Sequence, residues 1–138
     1  MTRLMGVALC ESLNSTCDRA NVGCIIVAND LVIGQGHNTA PSGSPTCDEV
    51  GHLMHEGHCR RTTHAEIHAL ANAVRRNHSV VGATAYVTHM PCPLCVHALI
   101  AHGIGAVVYL YAYDESAGAV TTAIMRDAGV TCTKGSVV

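Results

Sequence analysis

Two short motifs constrain the fold of this chain more than any other feature. Residues 91–95 read PCPLC and place Cys92 and Cys95 three positions apart, at the predicted start of a helix. Residues 64–66 read HAE and open a second predicted helix. One imidazole and two thiolates can hold a zinc ion and leave its fourth coordination position free for water. A shared zinc site would require both helices to begin at the same place in the fold.

Two other interpretations of the thiols are weaker. A redox dithiol is expected directly after the first strand of the fold, and it would leave the HAE motif without a role. A closed structural zinc site would recruit His68 or His89 as a fourth ligand and would leave Glu66 unused. We therefore expect a catalytic zinc ion, and its expected ligands are His64, Cys92 and Cys95.

Glu66 is the expected catalytic residue. A zinc ion with an open coordination position lowers the pKa of its water toward neutrality and makes hydroxide available. A carboxylate that lies beside the metal can then carry a proton from that water to the leaving group. The combined pattern, H-x-E followed by P-C-x-x-C, is typical of zinc nucleobase deaminases.

Composition and charge exclude several classes of protein. With 138 residues the chain is expected to form one domain over residues 1–138, and 13% charged residues with 49% hydrophobic ones argue against disorder. A formal charge of -2 argues against a nucleic-acid partner. No apolar run reaches the ~20 residues of a membrane span, and the N-terminus resembles an amphipathic helix more than a signal peptide. We expect a cytoplasmic protein, in which eight cysteines favour metal binding or catalysis over disulfides.

The order of predicted elements indicates an α/β fold. A helix over residues 2–15 precedes a hairpin that turns at Asn29-Asp30, and a long loop covers residues 38–61. Helices from the HAE motif, over 92–102 and over 117–128 then alternate with strands in ATAYVTH, AVVYLYAY and VTC. This alternation predicts a five-stranded mixed sheet with helices on both faces, a three-layer αβα architecture.

Beyond these patterns, the sequence resembles the deoxycytidylate (dCMP) deaminase family of the zinc-dependent cytidine/deoxycytidylate deaminase superfamily. The resemblance covers most of the chain and is carried by STCDRANVGCIIV, GHNTAPSGSPTCDEVGHLMHEGHC, RTTHAEIHAL and VTHMPCPLC. Small cytidine deaminases usually have Cys-Ala-Glu in place of HAE, and riboflavin-pathway deaminases separate the two cysteines more widely. The tRNA adenosine deaminases share both motifs, but they usually carry basic surfaces and lack the loop at residues 36–52.

The resemblance implies a cytidine-deaminase-like fold and the zinc-dependent hydrolysis of dCMP to dUMP and ammonia, which supplies dUMP for thymidylate synthesis. Many members carry an arginine after the fourth strand, where this chain reads YAYDES. Deamination of dCTP or of a 5-substituted dCMP therefore stays open. In the implied substrate site, Asn38 contacts the deoxyribose, the backbone at Ala65 and Thr88 contacts the pyrimidine edge, Arg19 contacts the phosphate, and Tyr111 or Tyr113 lines the pocket.

The resemblance also implies a second, structural zinc ion, because a long polar loop gains order from a bound metal. The expected ligands are Cys17, Cys47 and Cys59 with one histidine, His58 in preference to His52. The alternative is free thiols with solvated histidines. Family members that resemble this chain often form homo-oligomers, commonly hexamers, with dCTP as activator and dTTP as inhibitor, and both effectors are expectations here.

Overall fold

The computed structural model describes residues 2–18, 20–112 and 115–137. A five-stranded sheet lies at its centre, with five helices and a small two-stranded ribbon around it. In chain order the elements are α1 (Thr2–Ser12), β1 (Gly23–Ala28), β2 (Leu31–His37), α2 (Cys47–Val50), β3 (Met54–His55), β4 (His58–Cys59), α3 (Ala65–Arg75), β5 (Thr84–His89), α4 (Pro93–Ala101), β6 (Ala106–Tyr111), α5 (Glu115–Asp127) and β7 (Thr131–Lys134).

The predicted mixed sheet is confirmed, with strand order β2-β1-β5-β6-β7. Strand β1 is antiparallel to both β2 and β5, whereas β5, β6 and β7 are parallel. The hairpin turns where the sequence predicts it, with φ of 52° at Asn29 and 63° at Asp30. Two consecutive positive φ angles are those of a type I′ turn, which matches the twist of the flanking strands.

Helices cover both faces of the sheet because side chains alternate along each buried strand. On one face, Ile26 and Val107 pack with residues of α3, α4 and α5 in the larger core. On the other face, Ile25 and Val108 pack against Met5 of α1. This is the predicted three-layer arrangement.

Glycines in β2 bring helix α3 unusually close to the sheet. A Cβ atom at Gly36 would lie 2.5 Å from the Ala69 nitrogen, 2.6 Å from the Ala65 oxygen and 2.7 Å from the His68 Cβ. Gly34 is equally crowded, since its Cβ would lie 2.5 Å from the Ala69 oxygen. The absence of side chains at these two positions therefore sets how closely α3 packs on the sheet. The first turn of α3 carries Glu66.

Some predicted boundaries differ from those observed. Helix α1 ends at Ser12 instead of residue 15, and the predicted loop 38–61 contains α2 and the β3–β4 ribbon. Helix α2 forms because Thr46 and Glu49 make a reciprocal capping box at its start. Among the described residues, every helix is too short or too polar to cross a bilayer.

Candidate active site

The site lies where helices α3 and α4 begin. His64 is the N-cap residue of α3 and Cys92 is the N-cap residue of α4, both with extended backbone. N-cap positions usually carry a side chain that bonds the first helical N–H groups, but neither residue makes such a bond. The side chains of His64 and Cys92 can therefore contact each other. Pro93 is tolerated at the start of α4 because the first helical N–H groups have no partner within the helix.

Three metal-binding side chains meet there. His64 Nδ1 lies 3.2 Å from Cys95 Sγ and 3.6 Å from Cys92 Sγ, and all three donor atoms lie within 4.8 Å of one another. In tetrahedral zinc coordination with ordinary bond lengths, nitrogen and sulfur ligands are separated by roughly 3.6 Å. The donor set thus fits a zinc ion with three protein ligands.

Hydrogen bonds within this cluster shift the pKa values of its members in opposite directions. The hydrogen bond with Cys95 lowers the pKa of Cys92 to about 4, and the contact with His64 acts in the same direction. Cys92 has the opposite effect on its two partners, because its hydrogen bond with each of them raises the pKa of His64 and the pKa of Cys95. A divalent cation would replace these shared protons, since thiolates are the metal-binding form.

Glu66 lies two residues after His64 in the first turn of α3 and is 3% exposed. Burial raises its pKa to about 7, against the opposing influence of its own backbone N–H and of His64. A carboxyl group with a pKa near neutrality can both accept and release a proton under cellular conditions. It is not a member of the three-residue cluster, so its position suits proton transfer beside a metal.

The geometry does not support a fourth protein ligand. His68 Nε2 lies 2.9 Å from the Thr39 carbonyl oxygen, and it lines a separate cavity between β2 and α3. His89 Nδ1 lies 2.9 Å from Thr88 Oγ1. Among the described residues, neither histidine belongs to the His64 cluster, so a closed structural zinc site is not formed.

A cavity of about 520 Å³ opens above the cluster. This volume is within the range of small-molecule sites. Its floor contains His64, Glu66 and Cys92, and its walls come from residues before β1, from Asn38 and from the strap that precedes α3, which we define as residues 58–63. Two of the three expected metal ligands, His64 and Cys92, therefore line one cavity together with Glu66.

Asn38 lines this cavity, but both atoms of its amide group also hold the preceding segment. Its Oδ1 accepts a hydrogen bond of 2.9 Å from the Val22 N–H, and its Nδ2 donates to the Ala20 oxygen. The amide retains one donor and one acceptor for a ligand. Asn38 thus shapes the wall and remains available to contact a substrate.

The other expected substrate residues differ in their placement. Ala65 lines the cavity, whereas Thr88 is fully buried and lies outside the lining. Tyr111 is also outside the lining and contacts the His89 ring, with a centroid separation of 5.1 Å and an interplanar angle of 50°. Arg19 and Tyr113 lie outside the described residues.

His89 is a cavity residue for which sequence reasoning assigned no substrate role. Thr88 Oγ1 accepts the Gly23 N–H at 3.1 Å, so its own proton is free for His89 Nδ1 at 2.9 Å. Burial lowers the pKa of His89 and favours a neutral ring. When Thr88 Oγ1 donates to Nδ1, the proton of the neutral ring lies on Nε2, from which it can be donated to a ligand. The position of His89 at the end of β5, just before the PCPLC motif, was the available signal.

A second cluster of metal-binding side chains borders the same cavity. Cys47 Sγ lies 3.5 Å from Cys59 Sγ, and Cys17 Sγ lies 3.5 Å from His52 Nδ1. Burial opposes ionisation of Cys59, but hydrogen bonds from the backbone of Arg61 and Leu53 outweigh it and lower the pKa of the thiol to about 6. These four residues are the second set whose donor atoms lie within 4.8 Å of one another.

The structure brings His52, and not the expected His58, together with the three cysteines of this second set. His58 is adjacent to Cys59 in a strand, so the two side chains point in opposite directions, and His58 pairs across the ribbon with His55. His52 Nε2 instead donates a 2.8 Å hydrogen bond to Asp18 Oδ1, which leaves Nδ1 facing Cys17. A carboxylate on the far ring nitrogen is the usual support of a metal-binding histidine.

Comparisons with known proteins give a consistent result. Residues 1–111 match the family model of the cytidine and deoxycytidylate deaminase zinc-binding region. The deoxycytidylate deaminase of Mycobacterium phage D29 is 32% identical over 114 residues, covering 76% of this chain and 89% of that protein. The structure of dCMP deaminase from the cyanophage S-TIM5 in complex with dCMP and dUMP has a TM-score of 0.83 at 28% identity, covering 96% and 94% of the two chains.

A further relative is longer. The ComE operon protein 2 of Bacillus subtilis is 38% identical over 120 residues, which cover 87% of this chain. The chain spans 62% of the length of that protein.

Proposed function

The chain belongs to the zinc-binding cytidine and deoxycytidylate deaminase family, and on that premise we propose that it hydrolyses dCMP to dUMP and ammonia. The observation that carries the proposal is the three-donor cluster at the base of an open cavity, with buried Glu66 beside it. The phage relatives, which are named as dCMP deaminases, support the choice of substrate.

His64, Cys92 and Cys95 are the proposed zinc ligands. When bound, zinc supplies a water molecule whose pKa is lowered toward neutrality, so that a nucleophile is available without a strong base. The start of helix α4 favours the thiolate form of Cys92, because the backbone N–H of Cys95 points toward it there.

Glu66 moves the protons of the reaction. It takes a proton from the attacking water and delivers it to N3 of the cytosine ring as oxygen adds to C4. It then transfers the proton of the new hydroxyl group to the amino group, which leaves as ammonia, and the carbonyl of uracil forms. Its pKa of about 7 lets it accept and donate in turn.

The walls of the cavity hold the nucleotide. Asn38 is proposed to contact the deoxyribose with the donor and acceptor left over from its bonds to Ala20 and Val22. The backbone at Ala65 and at Thr88 is proposed to contact the pyrimidine edge. His89, which lines the cavity next to Thr88, is proposed to contact the same edge. Arg19 as a phosphate ligand and Tyr111 or Tyr113 as wall residues remain part of the proposal from the sequence.

A structural zinc ion is proposed at Cys17, Cys47, His52 and Cys59. Four protein donors leave no position for water, which is typical of structural sites. Such an ion would hold together the segment before β1, helix α2 and the β3–β4 ribbon, since each contributes a ligand or lies beside one.

Homo-oligomer formation, a hexamer in particular, and regulation by dCTP and dTTP are further proposals from the family resemblance, as is a cytoplasmic location. Sedimentation velocity with and without each nucleotide tests oligomer formation, and turnover assays with added dCTP or dTTP test regulation. Sedimentation as a monomer under all conditions, with turnover unaffected by either nucleotide, would contradict them.

The experiment that tests the reaction compares wild type with Glu66→Gln, both loaded with zinc. Ammonia release and product identity are measured with dCMP, dCTP, 5-methyl-dCMP and deoxycytidine. We expect dCMP to be preferred and kcat to fall by a factor of about 10² to 10⁴ in the variant, because a general acid–base group contributes that much. Zinc content should stay at the wild-type value, since Glu66 is not a ligand.

Glu56→Gln is the matched control, because Glu56 is exposed on the ribbon with 76% of its side-chain surface accessible. It should retain wild-type turnover. Preference for dCTP or for 5-methyl-dCMP would keep the mechanism and replace the substrate. No turnover of any of the four nucleotides and nucleosides by the zinc-loaded wild type would overturn the proposal.

A further inference from the structure

The phosphate of the proposed substrate requires a cation, and few are available in this chain. There are eight lysines and arginines in all, and none lies between residues 77 and 125. That stretch contains β5, α4 and β6, so one whole side of the cavity lacks a permanent positive charge. A phosphate ligand must therefore come from elsewhere.

Most of the remaining cations are in unsuitable places. Arg3 lies in α1 on the opposite face of the sheet, and Arg126 and Lys134 lie in α5 and β7. Arg75 ends α3 and lines the separate cavity between β2 and α3, with Arg76 next to it at the helix C-cap.

Three cations remain, of which Arg19 lies outside the described residues. The other two are arginines in the strap of residues 58–63, and they point in different directions. Arg61 Nε donates a 2.9 Å hydrogen bond to the Gly51 oxygen, so its guanidinium group is engaged within the loop. Arg60 lines the cavity together with His64 and Glu66, and it is the single lysine or arginine among the described lining residues. Within the described part of the chain, no carboxylate forms an ion pair with Arg60.

The backbone of Arg60 is well anchored although its side chain is exposed. Its N–H donates a 2.7 Å hydrogen bond to the Leu53 oxygen, and the preceding residue, Cys59, belongs to the second cluster. Three residues further on, Thr63 exchanges two backbone hydrogen bonds with Thr39. The strap is therefore held at both ends, and within residues 2–18, 20–112 and 115–137 no carboxylate pairs with the guanidinium group, which can bind an anion.

Arg60 is also at a suitable distance from the reaction centre. Arg60 precedes His64 by four residues, so even a fully extended backbone would separate them by at most about 13 Å. Arg60, His64 and Glu66 also line one and the same cavity. A nucleotide whose base reaches Glu66 carries its phosphate one sugar ring away, toward the mouth of the cavity.

We propose that Arg60 binds the 5′-phosphate of the substrate and makes the site select a nucleotide over a nucleoside. This inference rests on the proposed function and names a specificity-determining residue for it. A guanidinium presents two parallel N–H donors to a phosphate, which a lysine cannot do.

The test measures kcat/KM for dCMP and for deoxycytidine in wild type, Arg60→Gln, Arg60→Lys and Arg126→Gln. Loss of a charged hydrogen bond should lower kcat/KM for dCMP at least about tenfold in Arg60→Gln, chiefly through KM. The value for deoxycytidine should change by less than about threefold, because that substrate has no phosphate to lose contact with. For dCMP, the kcat/KM of Arg60→Lys should lie between those of wild type and Arg60→Gln. The kcat/KM of Arg126→Gln should match that of wild type, since Arg126 is an exposed residue of α5.

A binding experiment tests the same idea without turnover. Zinc-loaded Glu66→Gln and the double variant Arg60→Gln/Glu66→Gln are titrated with dCMP and with deoxycytidine by calorimetry. Only the dissociation constant of dCMP should rise in the double variant. Circular dichroism and zinc content confirm that each variant is folded and loaded.

Two outcomes would overturn the inference. Arg60→Gln could lower kcat/KM equally for dCMP and for deoxycytidine, or it could leave kcat/KM for dCMP unchanged. In the second case Arg19→Gln, assayed in the same way, shows whether that arginine provides the preference for the nucleotide. Failure of the proposed function looks different, because wild type itself would then fail to release ammonia from dCMP and Glu66→Gln would change nothing.

Discussion

Gly36→Ala tests whether the close contact between β2 and α3 sets the geometry of the active site. A Cβ at this position would lie 2.5 to 2.7 Å from three atoms of α3, two of them backbone, whereas ordinary contact begins near 3.4 Å. Relief therefore requires α3 to move away from the sheet by roughly 0.9 Å, because backbone atoms cannot rotate aside.

The expected magnitude follows from two opposing effects. Overpacking of this kind costs about 1–3 kcal/mol, and three contacts favour the upper end. Replacing a glycine in a strand with alanine also reduces the conformational entropy of the unfolded chain, which stabilises the fold by about 0.5–1 kcal/mol. We expect the free energy of unfolding to fall by about 2 kcal/mol. Glu66 is in the first turn of the displaced helix, and a 1 Å misplacement of a catalytic group costs about 10²-fold in rate.

Urea unfolding gives the stability and ammonia release from dCMP gives kcat, both at one fixed zinc concentration because bound metal adds to stability. Gly6→Ala is the control, since Gly6 lies in α1 and a Cβ there meets no atom within 4 Å. That variant should gain up to about 1 kcal/mol from helix propensity. Stability of Gly36→Ala within about 0.5 kcal/mol of wild type, with kcat unchanged, would refute the reasoning.

Three further predictions follow from other contacts. Asn38→Asp removes the donor to the Ala20 oxygen and should lower the free energy of unfolding by about 1–3 kcal/mol in urea, whereas an unchanged midpoint would contradict that anchoring role. Metal analysis should find about two zinc ions per wild-type chain and about one in Cys47→Ala, and one ion in both would remove the second site. Because burial lowers the pKa of His89 in the folded state, its contribution to stability is lost as the pH falls below about 6.5. His89→Gln should therefore lose less stability than wild type between about pH 7.5 and pH 5.5, and parallel urea curves would contradict this.

The meeting of His64, Cys92 and Cys95 could be predicted from the sequence because it depends on short spacings. Cys92 and Cys95 are brought together by one helical turn, and the HAE motif fixes Glu66 relative to His64. The hairpin at Asn29-Asp30 could be predicted for the same reason, since two neighbouring residues determine the conformation of its turn.

The features that could not be predicted depend on side-chain direction or on distant backbone. His52 and His58 are both near cysteines in the sequence, and only the pairing of the β3–β4 ribbon turns His58 away from Cys59. The bonds from Asn38 to residues 20 and 22 require β1 and β2 to be paired first. The direction of Arg60 likewise depends on the hydrogen bond that Arg61 makes with Gly51.

Cys59 and Arg60 are neighbours, and this adjacency links two binding equilibria. A ligand of the second cluster is one peptide bond from the proposed phosphate contact, so ordering of the loop by metal and ordering by nucleotide act on the same backbone. Thermodynamic reciprocity then requires that if metal strengthens nucleotide binding by some factor, nucleotide strengthens metal binding by the same factor. Saturating dCMP should then reduce the amount of the proposed second zinc ion that a chelator removes at equilibrium, so that the proposed structural metal is bound most tightly in the nucleotide complex.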